Sequence, residues 1–218
     1  MAARTSTQTP IPRGRHAPPL EVRLQVQKHR LFDAAAHVFA RCGYADASAE
    51  AISREAGMSK ATFYEHFANK EECLVELFGH ASERLLDELV TASRGADRTY
   101  EERHRSGLHA ILAAIDSDPV LAQATIVETV GAGPRLAELR DAAMDEMARV
   151  MYEQTVRAAE LAGGPAFASH DEAFAIVGAT FELVSRQLRT GRPATVLELQ
   201  PLLERLILGL LSQPPGPA

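Results

Sequence analysis

Between Ala49 and Glu72 the chain gathers side chains suited to gripping a polyanion. Lys60, Thr62, Tyr64 and His66 fall within seven residues, with Ser59 before them and Lys70 after. Ammonium, hydroxyl and imidazole groups bond phosphate oxygens or base edges, and the small Ala61 permits close approach. The spacing predicts a short helix from Lys60 to about His66, capped by Ser59, and another from Ala49 to Ala56, capped by Ser48. Only Gly57-Met58-Ser59 separates them, too little chain for anything but a tight corner. Gly57 can take the left-handed conformation that ends the first helix, and the small Ser53 lets the two approach. Ile52, Ala56, Met58 and Phe63 supply apolar contacts. This is helix-turn-helix arithmetic, with Lys60–His66 as the element that enters a major groove. On geometry alone, His66 also suits a core-capping imidazole and Tyr64 a packed aromatic.

Other chemistries find little support. Among eight histidines no pair has the i, i+4 spacing that puts two ligands on one helical face. Gly131-Ala132-Gly133 follows no strand and lacks a third glycine, so it reads as a helix break rather than a nucleotide loop. No serine occupies a Gly-x-Ser-x-Gly elbow, and no carboxylate pair stands out for acid–base work. Cys42 and Cys73 are the only cysteines and have no CxxC spacing, which excludes a disulfide scaffold and fits a reducing cytoplasm. No catalytic residue, metal or cofactor is expected.

The elements that must position these residues are all helical. Every convincing segment from Leu20 to Leu211 repeats at helical spacing, and none alternates like a strand. About nine helices are predicted: Glu21–Arg41 stopped by Gly43, the two short ones, a long helix capped by Asn69 with Glu72 three residues on, then 99–116, 119–130, 134–161, 170–190 and 195–212. The chain divides into a basic arm (1–19), a three-helix DNA-binding unit (20–68), a larger helical body (69–212) and a tail (213–218). Residues 1–30 carry a net +5, and the rest brings the chain to −6. A basic front on an acidic body suits a polyanion met at one end, although a solvated tail has the same composition. The absence of a membrane-length apolar run and of a signal-peptide core predicts a cytoplasmic protein.

The stretch ISREAGMSKATFYEHFANKEECL, residues 52–74, resembles the TetR family of bacterial transcriptional regulators, as does Gly43-Tyr44 ahead of it. Ser53, Met58 and Ala61 are mild departures that leave the turn intact. The resemblance implies a regulator that binds double-stranded operator DNA as a homodimer and is most often a repressor released by a small molecule. Within it Thr62, Tyr64 and His66 match positions that touch phosphates and bases, and Lys70 matches a lysine that contacts the backbone. Lys60 and Ala61 face the bases. With Ser48, Ser59 and Arg23 these form the expected DNA-binding set. An all-α carrier or enzyme that uses an apolar cavity in the rear body is the alternative, as is a ligand-independent or activating regulator.

Two further surfaces are expected in the rear body. Residues 195–212 are apolar over more than half the helix circumference, more than one packing partner needs. The residues assigned to dimerisation are Phe174, Val177, Phe181, Leu199, Leu203, Leu206 and Leu210; an ordinary core helix explains the pattern too, and the family's dimer through its last two long helices favours the interface. His109, Gln123, Glu128, Met147, Met151 and Phe181 are the candidate ligand contacts. Arg103, Arg105, Arg140 and Arg149 share faces with acids and are expected in solvent. That leaves a mostly apolar, neutral or singly cationic ligand, with Glu128 as partner for any cation.

Overall fold

A computed structural model describes residues 19–92 and 99–212, and every element among them is helical. The basic arm, apart from Pro19, and the tail lie outside the described residues. The first helix, α1 (Leu20–Asp46), runs past its expected end but breaks at Gly43, whose φ of 77° and ψ of 164° belong to neither α nor β backbone. That left-handed φ is open to glycine and strained for any other residue. Beyond the break one further turn is re-aimed.

Helices α2 (Ala49–Glu55) and α3 (Lys60–His66) follow as expected. Next come α4 (Lys70–Ala92), α5 (Tyr100–Ser117) and α6 (Pro119–Ala122). Asn69 Oδ1 accepts the Glu72 N–H at 2.9 Å, but the Glu72 carboxylate turns away to Arg135, so the cap is one-sided. The segment predicted as a single helix over 119–130 is instead α6 continued by a π turn, Gln123–Val127, closed by the Glu128 N–H on the Gln123 carbonyl at 3.1 Å. Helices α7 (Pro134–Ala162) and α8 (His170–Thr190) form the long antiparallel pair of the rear. The last predicted helix is split into a 3₁₀ turn (Val196–Leu199) and α9 (Gln200–Leu211).

Two apolar clusters organise the chain. In front, Leu31, Val38 and Phe39 of α1 meet Ile52, Phe63 and Phe67, with Cys73, Leu74 and Leu77 of α4 closing the cluster. Ala124, Ala132 and Leu136 complete it from behind, so packing is continuous across the boundary expected after residue 68. The rear cluster joins Leu89 of α4 to Leu112, Met147, Val184, Leu203 and Ile207. Helix α4 therefore serves both cores. Cys42, beside the break in α1, is exposed, whereas Cys73 is buried and burial pushes its thiol pKa up. Among the described residues no single helix is long and apolar enough to cross a membrane.

Candidate nucleic-acid interface

The corner between α2 and α3 is fixed by backbone chemistry. Gly57 adopts φ 64°, which lets the Met58 N–H reach the Ser53 carbonyl at 2.8 Å and the Gly57 N–H the Arg54 carbonyl at 3.1 Å. Orphan carbonyls at the end of α2 are thereby satisfied. Ser59 Oγ then accepts the Thr62 N–H at 3.0 Å and opens α3. Ser48 does the same for α2 through the Ala51 N–H at 3.1 Å. Phe63 faces inward at 0% exposure and anchors α3 on α1 and α4.

What remains outside is the presented face. Lys60, Ala61 and Glu65 are exposed, and Tyr64 is 51% exposed. The Lys60 ammonium lies 5.9 Å from the Tyr64 ring centre, so cation and phenol travel together. Thr62 is half-buried, with its hydroxyl 3.0 Å from that of Ser59. His66 is half-buried as well, its Nε2 3.4 Å from Gln27 Oε1 on α1, and burial pulls its pKa below 6.5. The ring is thus braced on α1 with its charged form disfavoured. Arg23 is exposed on the first turn of α1.

Lys70 has a different task from the phosphate contact expected of it. Its ammonium donates to the carbonyls of Tyr44, Ala45 and Ala47 at 2.8, 2.9 and 3.0 Å. An ammonium has three N–H donors, so none is left for a phosphate in this arrangement. The sequence could not show this, because the carbonyls become available only through the break at Gly43.

In the rear body, an apolar crevice of about 60 Å³ lies between α4, α5, α7 and α8, lined by Leu89, Leu108, Ile111, Met147, Met151 and Phe181. His104 and Arg103 stand on its wall. Burial, reinforced by Arg103, pulls the His104 pKa down to about 4. A wider cleft of about 480 Å³ opens between α1, α4 and α6, but His29, Asp33, His37, Arg84 and Asp118 make it polar and mixed in charge.

A family profile described as "Bacterial regulatory proteins, tetR family" matches residues 31–77, the stretch that builds α1, the corner, α3 and the start of α4. Over these residues the chain is similar to the TetR family. The HTH-type transcriptional regulator YxbF of Bacillus subtilis (strain 168) is 31% identical over 78 residues, which is 36% of this chain and only 20% of that protein. The fold extends the likeness well beyond the profile. FadR, the fatty acid degradation regulator of Bacillus halodurans, superposes with a TM-score of 0.76 at 22% identity, over 86% of this chain and 97% of that one. FadR of Bacillus subtilis, solved in complex with stearoyl-CoA, gives 0.72 at 19% identity, over 84% and 97%.

Within this fold, several expected rear contacts move. Met147, Met151 and Phe181 line the crevice, but His109, Gln123 and Glu128 do not. His109 is exposed and meets Gln200 at 2.9 Å. Gln123 and Glu128 bond to each other and face α1, too far forward to hold a cationic ligand in the crevice. Arg103 and Arg140 are half-buried on crevice walls rather than solvated; Arg105 and Arg149 do sit in exposed ion pairs. Of the dimerisation set, Val177, Leu199 and Leu203 are buried in the chain's own core, and Phe174, Phe181 and Leu210 are half-buried on it. Val177, Leu199 and Leu203 are thus taken up within one subunit. Leu206 is 40% exposed, and so is the neighbouring Leu202 at 38%, which sequence pattern alone did not separate from the rest.

Proposed function

We propose that this chain is a sequence-specific regulator that binds a pseudo-palindromic operator as a homodimer and is released by a small, largely apolar ligand. The observation that carries the DNA reading is α3, a helix anchored by one fully buried Phe63 and presenting Lys60, Ala61 and Tyr64 outward. A helix so short reads few bases, so useful affinity needs two copies in successive major grooves, about 34–36 Å apart. A two-fold dimer supplies that spacing. Leu202 and Leu206 on α9 are the apolar residues available to begin such an interface.

The ligand reading rests on the crevice. Its aliphatic, Met and Phe lining favours a hydrocarbon chain, and His104, neutral at pH 7, forms part of the wall without the cost of a buried charge. The half-buried Arg103 beside it makes an anionic head group acceptable at the rim, contrary to the expectation of a neutral or cationic ligand. A long-chain acyl thioester of the kind bound in the Bacillus subtilis FadR structure fits this chemistry. At about 60 Å³ the crevice must widen to admit it, which is what makes ligand binding able to shift the conformation.

Selection of bound sites from random DNA, followed by footprinting, tests the proposal. Enrichment of a two-fold symmetric site, bound more weakly as salt rises, is expected. Failure to enrich any sequence, or protection of a single asymmetric half-site by a monomer, would sink it.

A further inference from the structure

We propose that Glu128 is the positioning residue through which the rear body holds the DNA-reading unit in its binding orientation; this rests on the regulator reading above. The break at Gly43 strips the Tyr44 N–H of its helical acceptor and exposes the carbonyls of the next few residues. Both halves of this defect are repaired from outside the DNA-reading unit's own α1–α3. Lys70 takes the carbonyls, and Glu128 Oε2 accepts the Tyr44 N–H at 3.2 Å, across 84 positions of sequence. The other carboxylate oxygen, Oε1, accepts the Gln123 side-chain N–H at 3.0 Å, which aims the group.

The fit at the receiving end is close. A Cβ added to Gly43 would stand 3.3 Å from Glu128 Oε2, and its φ of +77° already disfavours any side chain. Gly43 therefore admits the carboxylate as well as making the break.

The supporting element has two discrete forms available to it. Gln123 and Glu128 bracket the π turn, a segment whose backbone hydrogen bond reaches one residue farther back than an α-helix's. Expelling one residue from the turn rotates the downstream backbone by about 100°, enough to carry the carboxylate off Tyr44. The π turn also touches the rear cavity system. Thr125 and Ile126 line a small void with Met144, Met147 and Phe181, and the last two line the apolar crevice as well. Widening the crevice presses on the π turn through these shared side chains. The turn resolves to α, and the latch on Tyr44 opens. A two-state element biased from both ends is the physical content of such coupling.

Glu128→Ala, Glu128→Gln and Gln123→Ala in the full chain test this without any effector. The readouts are hydrogen exchange of the backbone amides at 43–47 and affinity for DNA selected from random sequence. Glu128→Ala is expected to speed exchange at 43–47 at least tenfold, leave α7–α8 unchanged, and weaken DNA binding at least fivefold. Glu128→Gln keeps one acceptor for Tyr44, and a flipped Gln123 amide can accept from its new N–H, so it should restore binding to within twofold. Gln123→Ala, which loses only the aiming bond, should fall between them and serves if Glu128→Ala does not fold. DNA affinity unchanged or strengthened by Glu128→Ala, with exchange at 43–47 raised, would make Glu128 a structural brace and overturn the proposal. So would a Glu128→Gln protein as impaired as Glu128→Ala. If the wild-type chain selected no DNA, the regulator reading would fail, while unaltered exchange at 43–47 in Glu128→Ala would separately refute the latch.

Discussion

Acidification should reveal His104. Its pKa lies near 4 in the folded chain against an ordinary 6.5, because burial beside Phe167 and the Arg103 guanidinium disfavour the imidazolium. The folded state thus binds fewer protons than the unfolded one, and stability falls as pH drops from 6.5 towards 4. At pH 5 the unfolded imidazole is mostly charged and the folded one mostly neutral. With 1.36 kcal/mol per unit, the loss between pH 7.5 and pH 5 is roughly 2 kcal/mol from this residue alone. Other groups titrate in the same window, so the informative quantity is a difference of differences. Urea unfolding of wild type and His104→Gln at both pH values supplies it. The variant should lose about 2 kcal/mol less than wild type on acidification, whatever the substitution costs at pH 7.5. A difference below about 0.5 kcal/mol would refute the reasoning, and with it the picture of His104 as a buried neutral group on the crevice wall.

Other outcomes follow from the same geometry. Lys70→Met should destabilise the chain by about 2 kcal/mol in chemical denaturation, by orphaning three carbonyls, and leave the salt slope of DNA binding unchanged; a slope reduced by about 0.9 per subunit would return Lys70 to the phosphate backbone. Tyr64→Ala, at an exposed position, should leave the melting temperature within a degree or two, at about 0.5 kcal/mol, and cut DNA affinity at least tenfold in a mobility-shift titration. Leu206→Glu should yield a folded monomer in sedimentation, whereas Leu203→Glu, fully buried, should abolish folding; a Leu206→Glu protein that stays dimeric would move the interface elsewhere.

Local signals carried the reading head. Ser48, Ser59 and Gly57 are caps and corners whose chemistry is complete within a few residues, so the positions of α2 and α3 could be read directly. The π turn could not. Its composition, Gln-Ala-Thr-Ile-Val, is as compatible with an α-helix, and the extra residue is accommodated by packing against α1 and α8 rather than by any sequence mark. The same limit applied to Glu128, whose partner is 84 positions away at a break that exists only in three dimensions. Apolar periodicity on α8 and α9 overstated the free surface. It marks every residue turned from water, and most of Val177, Leu199 and Leu203 is taken up inside one subunit.

The two thiols offer a practical route into the hinge. Cys42 stands one residue before Gly43 and is open to solvent, while Cys73 is sealed in the front core with its thiolate disfavoured. A maleimide dye should therefore label the native chain at one place, without any cysteine having to be introduced or removed. That dye would sit where α1 changes direction, beside the bond between Glu128 and Tyr44. Its emission or anisotropy would track the opening of the joint in real time, in a chain whose sequence is otherwise untouched.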